Sequence, residues 1–183
     1  MAGRIQRQLW EVALDQDGFV TTADAHRLGI PVVELGKLAH RGQLGRAGWG
    51  IYRFEQLPAG PYAAYRLAVL WAGGRAALSH DTALDLYELC DINPSEIHLT
   101  VSPAYRPRGK QRGPYVVHHE RLTEDQLGWI EGIRAVRPGV AIAQGIRSGV
   151  PSHLLAAAID TARARGLVPR ESFDELRAML DKR

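Results

Sequence analysis

Residues 18–54 contain two short helical segments joined by a tight turn with a glycine at its start and a proline at its end. Thr22 is the candidate N-cap of the first segment. Gly29 ends this segment, because a residue without Cβ adopts the left-handed conformation that closes a helix at little cost. Pro31 opens the second segment, where its missing N–H would have no helical partner. In this second segment Leu35 and Leu38 recur at helical spacing. The pattern predicts a helix-turn-helix whose second helix buries one face and exposes the other.

After this helix the residues alternate with a period of two, which indicates a β-hairpin. Leu44 and Arg46 alternate, a Gly-Trp-Gly turn occupies 48–50, and 51–54 has the composition of a return strand. Helix, turn, helix and hairpin in this order predict a winged helix-turn-helix domain over residues 1–56. In such a domain the second helix enters the major groove of DNA, and the hairpin, or wing, reaches the backbone or the minor groove.

Residues on the exposed faces of this domain are the predicted contacts with DNA. Lys37 and Arg41 are candidates for phosphate or guanine, because arginine can bind guanine O6 and N7 together. His40 could meet a base edge or be an exposed helix residue without a role, and Trp49 could contact DNA or pack on its own hairpin. The threonines suit a phosphate if the N–H groups at their helix N-terminus point outward. The predicted set is Thr21, Thr22, Val33, Lys37, His40, Arg41, Arg46, Trp49 and Arg53.

Composition limits the class of protein. The chain has 183 residues, one cysteine and a net charge of +3, with a pI of about 9.2. One cysteine forms no internal disulfide and fits a reducing compartment. No apolar run approaches the length of a membrane span, and the N-terminus lacks the apolar core of a signal peptide. We therefore expect a cytoplasmic protein without a membrane partner, whose mild positive charge permits nucleic-acid binding.

A segment rich in proline and glycine at 56–61 predicts a domain boundary, with a second domain over residues 61–183. Alternating apolar residues predict strands at Ile97–Val101, Tyr115–His119 and Ile133–Val136. The predicted helices cover 61–71, 75–90, 140–147, 152–165 and 171–180. The expected fold class is α+β, with the winged helix-turn-helix followed by a mixed α/β domain in which helices flank a small sheet.

The segment between the first two of these strands is basic. It contains Arg106, Arg108, Lys110 and Arg112 and no acidic residue. Such a loop could bind phosphate of flanking DNA, an RNA or an acidic partner. It is equally consistent with a solvated hairpin loop.

The histidines raise the question of an enzyme. Ser79, His80 and Asp81 are neighbours on a predicted helix, and adjacent helical residues diverge too far to form a catalytic relay. His118 and His119 lie on opposite faces of a strand, which makes the pair a poor bidentate metal site. The sequence contains no HExxH, P-loop or GxSxG motif. We therefore predict no catalytic residue, no metal and no cofactor, with a nuclease as a remote alternative and the histidines as structural residues.

Several motifs together resemble the antitoxins of AbiEi type, which are partners of nucleotidyltransferase toxins in bacterial abortive-infection systems. The matching segments are Gly18–Ala25, Arg41–Leu44 with Gly50–Arg53, Leu78–Leu84, Leu99–Val101 before the basic loop, and Gly132–Pro138. Gln144 stands near the place where the family usually has an acid. The resemblance implies a repressor that binds double-stranded operator DNA, expected to carry inverted repeats, and an antitoxin that counters a nucleotidyltransferase-like toxin. The alternative is an interaction module whose winged domain docks a protein.

Overall fold

A computed structural model describes residues 2–108 and 113–183. The chain forms two compact units, the first built from the residues up to Arg75 together with Pro107 and Arg108, and the second from Ala76–Arg106 and Gly113–Arg183. The elements of the first unit are α1 (Ala2–Leu14), β1 (Phe19–Thr21), α2 (Thr22–Arg27), α3 (Val32–His40), β2 (Gly45–Gly48), β3 (Ile51–Arg53) and α4 (Ala63–Trp71).

The first unit is a winged helix-turn-helix, which confirms the prediction for this part of the chain. Its three strands form an antiparallel sheet in the order β1-β3-β2, and β2 with β3 is the wing. Gly29 has φ of 67° in the turn between α2 and α3. The buried core joins α1, the helix-turn-helix and the sheet through Leu9, Ala13, Val20, Ala25, Ile30, Leu35, Leu38, Leu44, Tyr52 and Phe54.

Helix α2 begins one residue earlier than its sequence suggests. Its N-cap is Thr21, where the sequence favours Thr22, and Thr21 forms a capping box with Asp24. The hydroxyl of Thr21 accepts from the Asp24 backbone N–H at 3.1 Å, and an Asp24 carboxylate oxygen accepts from the Thr21 N–H at 2.9 Å. The side chain of each residue thus accepts a hydrogen bond from the backbone N–H of the other, and two donors at the helix start are satisfied.

The division between the units falls at Arg75–Ala76, whereas the sequence predicts it in the proline- and glycine-rich segment at 56–61. Helix α4 consequently groups with the winged helix. One physical reason is a half-buried ion pair in which Arg66 Nε donates to Asp17 Oδ2 at 2.6 Å. Because the two residues are far apart in sequence, the local composition gives no sign of this contact.

The second unit has the mixed α/β arrangement expected from its sequence, and the α+β fold class is confirmed. Its sheet has the strand order β6-β5-β4-β8-β7. The elements are β4 (Ala77–Leu78), α5 (His80–Leu86), β5 (Ile97–Val101), β6 (Tyr115–His119), β7 (Leu127–Ile130), β8 (Ile133–Val136), α6 (Pro138–Ser148), α7 (Ser152–Ala164) and α8 (Arg170–Asp181).

Two sequence interpretations in this unit are wrong. Residues 75–90 are not one helix, because Ala77–Leu78 is a buried strand that pairs with β5 on one side and β8 on the other. Strands β5 and β6 are parallel. The basic segment between them is therefore a crossover connection and not a hairpin loop.

No helix in the described part of the chain has the length and apolar character needed to cross a bilayer.

Candidate functional site

Helix α3 presents two chemically distinct faces. Leu35 and Leu38 are buried, at 0% and 3% exposure, and anchor the helix on the core. Lys37 and Arg41 are exposed, and Val33 is 60% exposed although it is a large apolar residue. Since burial fixes the inner face, the outer face is held in a constant orientation.

The outer face of α3 and the wing together line an open groove of about 590 Å³. We call it the reading groove, and its lining residues are Val32, Val33, Gly36, Lys37, His40, Arg41, Arg46 and Tyr52. Five of the residues predicted to contact DNA are therefore brought together there: Val33, Lys37, His40, Arg41 and Arg46. The groove combines cationic side chains with an apolar floor, a combination suited to phosphates and base edges.

One acid lies beside this basic surface. Glu34 Oε1 accepts from Lys37 Nζ at 2.7 Å, and the lysine side chain remains 53% exposed. An exposed ion pair of this kind contributes roughly 0–1 kcal/mol. Glu34 is not among the residues predicted from the sequence, although its spacing of three residues from Lys37 on a helix was a usable signal.

Two of the three predicted contacts on the wing lie on β2 and in the turn that follows it. Arg46 lies on β2 with its guanidinium 5.7 Å from the centre of the Tyr52 ring. A register shift between Arg46 and Gly48 marks a bulge in β2. Trp49 follows in the turn and is 82% exposed, so it does not pack on its own hairpin.

Arg53 makes several contacts within the fold, and its predicted contact with DNA stays a prediction. Its Nε donates to the Asp17 carbonyl at 3.1 Å and its Nη2 to the Leu57 carbonyl at 2.6 Å. The guanidinium also lies 5.8 Å from the centre of the Phe19 ring. These contacts hold the side chain beside β1 and the chain after β3, and Arg53 is not among the residues that line the reading groove.

The backbone N–H groups of Thr21 and Thr22, which the predicted phosphate site would use, are engaged within the fold. The Thr21 N–H donates to the Asp24 carboxylate, and the Thr22 N–H donates to the Gly50 carbonyl at 2.9 Å. Neither N–H points outward to an anion. The Asp24 carboxylate occupies the helix N-terminus and repels a phosphate there.

The basic connection between β5 and β6 is described only in part. Arg106 folds back on its own segment, where Nη1 donates to the Pro103 carbonyl at 2.6 Å and to the Tyr105 carbonyl at 2.9 Å. Arg108 is exposed. Lys110 and Arg112 lie outside the described residues.

A cluster of three histidines, which the sequence analysis did not predict, lies in the second unit. His80 begins α5, His98 lies on β5 and His118 lies on β6, and one ring nitrogen from each lies within 4.8 Å of the others. The parallel register of β5 and β6 brings His98 Nδ1 to 3.0 Å from His118 Nε2. His119 is exposed, as the alternation of the strand predicts. The three histidines are far apart in the sequence, so a comparison of adjacent positions does not reveal the cluster.

Polar residues hold the buried member of this cluster. His80 Nδ1 lies 3.1 Å from Ser79 Oγ, which accepts from Thr100 Oγ1 at 2.8 Å. The His80 N–H donates to Gln144 Oε1 at 3.1 Å, and the Gln144 amide donates to Glu120 at 2.9 Å. His80 has φ of 51°, a conformation that L residues adopt at a cost and that surrounding contacts must sustain.

Burial sets the protonation of these histidines. Burial, followed by repulsion from His118 and His98, lowers the pKa of His80 from 6.5 to about 3. Burial and the nearby His98 also lower the pKa of His118, against the opposing effect of Glu120. His80 is therefore neutral at pH 7 and can share hydrogen bonds without the repulsion of paired imidazolium ions.

The groove geometry is accompanied by a family match in the same part of the chain. Residues 7–54 match the family model described as transcriptional regulator, AbiEi antitoxin. The predicted resemblance is thus confirmed for the winged helix. The family description is of a regulator with an antitoxin role, and not of an enzyme.

A solved structure shares the fold of almost the whole chain. It is the crystal structure of the RV2827C protein from Mycobacterium tuberculosis, with a TM-score of 0.58 and 17% sequence identity, covering 97% of this chain and 71% of that one. At this identity the likeness concerns the fold alone. No curated protein matches the sequence.

Proposed function

We propose that this protein is a DNA-binding transcriptional repressor that autoregulates a toxin–antitoxin operon and counters a nucleotidyltransferase-like toxin. The observation that carries the DNA-binding part is the reading groove, where Lys37, His40, Arg41 and Arg46 converge around an exposed helix face. The match of residues 7–54 to antitoxin regulators supports the same reading.

In this proposal α3 lies in the major groove and the wing follows the adjacent backbone. Lys37 and Arg46 neutralise phosphates, and Arg41 contacts a phosphate or a guanine edge. Val33, exposed on the same helix, contacts a thymine methyl group. We further propose that His40 reaches a base edge and that Trp49 meets the sugar-phosphate surface from the wing turn.

The antitoxin part of the proposal depends on the second unit. Its support is the ordered set of motifs through Gly132–Pro138 that resembles the AbiEi antitoxins. Arg106 and Arg108, with Lys110 and Arg112 from the same connection, are proposed to meet nucleic acid or an acidic surface of the toxin. Co-expression of the full chain with the nucleotidyltransferase-like gene of its operon tests this part, with restored growth as the expected result.

Gel-shift titration with a duplex taken from upstream of the protein's own reading frame tests the DNA-binding part. Lys37→Ala, Arg41→Ala and Arg46→Ala are each expected to weaken binding by about 5-fold or more, the scale of one lost phosphate or base contact. Arg170→Ala removes an arginine that is also exposed, on α8, and is the matched control. Unchanged binding in all three groove variants would refute the assignment of the site.

A second candidate function is protein docking by the winged domain. It is favoured by the exposed apolar residues of this face, Val33 at 60% and Trp49 at 82% exposure. Docking predicts co-purification of a toxin through the winged domain, together with no retardation of DNA at low salt. Retardation that depends on Lys37 and Arg41 decides for DNA.

A further inference from the structure

We propose that His80, His98 and His118 bind a divalent transition-metal ion, with zinc as the ion of best fit. The proposal concerns the second unit and is independent of the DNA-binding role of the reading groove. Three ring nitrogens within 4.8 Å of one another meet the first requirement of such a site. Imidazole nitrogens suit zinc, copper and nickel, and a set without carboxylates does not suit magnesium or calcium.

The distance between two of the ligands fits one tetrahedral ion. Nitrogens bound to zinc at about 2.0–2.1 Å lie roughly 3.3 Å apart. His98 Nδ1 and His118 Nε2 are 3.0 Å apart, which is close to this value. The two nitrogens face each other, and at this distance a proton or a metal ion must lie between them. A zinc ion takes the place of that proton.

The ring centres show what must move on binding. Rings bound to one tetrahedral ion have their centres roughly 5 Å apart. His98 lies 5.7 Å from His80 and 5.2 Å from His118, so these two pairs are already near that value. The rings of His80 and His118 are stacked at 3.7 Å. Binding therefore requires the His80 ring to tilt away from His118, and the other two rings to stay in place.

Neighbouring polar groups orient His80 for this role. Because Ser79 Oγ lies 3.1 Å from its Nδ1, the other ring nitrogen, Nε2, is left for the ion. Ser79 is itself held by Thr100, and the backbone of His80 is held by Gln144. Partners that fix the second nitrogen of a metal-binding histidine are a regular feature of metal sites.

The three ligands come from three separate elements. An ion held by His80, His98 and His118 ties α5, β5 and β6 together and fixes the parallel strand pair at its middle. Three protein ligands leave a fourth position for water or for a ligand from outside. Metal binding to the folded chain also stabilises it, because the site does not exist in the unfolded chain.

Cobalt substitution tests the site. Full-length protein without a polyhistidine tag is stripped with a chelator, titrated with Co²⁺, and then with Zn²⁺. We expect the visible absorption of tetrahedral Co²⁺ to saturate at one ion per chain and to disappear as Zn²⁺ displaces it. His98→Gln and His118→Gln are each expected to lower the Co²⁺ affinity by at least about 10-fold. His119→Gln changes the next residue, which is exposed on the other face of β6, and should leave the titration unchanged.

A measurement on the wild-type chain covers the case in which a variant fails to fold. Zn²⁺ should shift the imidazole ¹⁵N resonances of His80, His98 and His118, leave His119 and His153 unshifted, and raise the Tm. Absence of the cobalt spectrum together with unshifted ¹⁵N resonances would mean that the three rings are only a hydrogen-bonded cluster. A loss of binding in His119→Gln equal to that in His118→Gln would equally overturn the proposal.

Discussion

Glu34 is the residue whose position beside the reading groove has the clearest consequence for DNA binding. Its carboxylate neutralises Lys37 at 2.7 Å in the absence of DNA. A phosphate that approaches Lys37 must compete with this carboxylate and is also repelled by it. Since an exposed pair contributes roughly 0–1 kcal/mol, a phosphate can displace it.

Glu34→Gln is therefore expected to raise the affinity for DNA, by about 2- to 5-fold from the size of the pair that is removed. Fluorescence anisotropy with the upstream duplex at fixed salt measures the change. Glu175→Gln on α8 is the matched control, because it removes the same charge from an exposed helix position outside the reading groove. A lower affinity in Glu34→Gln would indicate that Glu34 accepts from a cytosine amino group and contributes to binding.

For single residues, the sequence predicts which side chains are exposed better than it predicts their hydrogen-bond partners. The helical period places Lys37 and Arg41 on the outer face of α3, where the structure has them. The role of Arg53 depends on the Asp17 carbonyl, which lies 36 positions away in the chain. A local pattern contains no information on a partner so far away. Arg53 was therefore predicted to lie on the surface of the wing.

Among the secondary-structure elements, the start of α2 bears most directly on the role of Thr21. The capping box joins Thr21 to Asp24, and the Asp24 carboxylate is also bound by Arg27 at 2.7 Å. Asp24 is only 8% exposed, so its hydrogen bonds are needed to offset the cost of its burial. We therefore expect Thr21 to stabilise the helix-turn-helix rather than to contact a phosphate.

Thr21→Ala should lower the free energy of unfolding by about 1 kcal/mol, the usual contribution of an N-cap side chain. Thr21→Ser keeps the hydroxyl and is the matched control, expected to remain close to the wild type. Urea denaturation followed by circular dichroism measures both. At a temperature where both variants are folded, their affinity for DNA should equal that of the wild type. A loss of DNA binding in Thr21→Ala without a loss of stability would restore the phosphate role.

The strands show where local patterns stop being sufficient. Alternation predicts Ile97–Val101, Tyr115–His119 and Ile133–Val136, and the structure contains all three. It does not distinguish a parallel pair from a hairpin, because both have the same period. Strand β4 has only two residues, Ala77 and Leu78, which is too short for any periodicity to show.

At the scale of the whole chain the two units differ in how much the sequence reveals. In the first unit the order helix, turn, helix, hairpin was enough to predict the winged helix-turn-helix, although β1 pairs with β3 across the two helices between them. The histidine cluster of the second unit depends on pairing between β5 and β6 and on the position of α5. Such a site is visible only once the sheet topology is known.

The salt dependence of DNA binding tests most directly the claim that α3 and the wing form a duplex-binding surface. The logarithm of the binding constant of the wild type should fall linearly with the logarithm of salt concentration, because bound cations are released from DNA. Lys37→Ala and Arg46→Ala should each make the slope shallower by about 0.9, the value for one phosphate contact. A slope that is the same in the wild type and in both variants, or binding that does not respond to salt, would contradict the account.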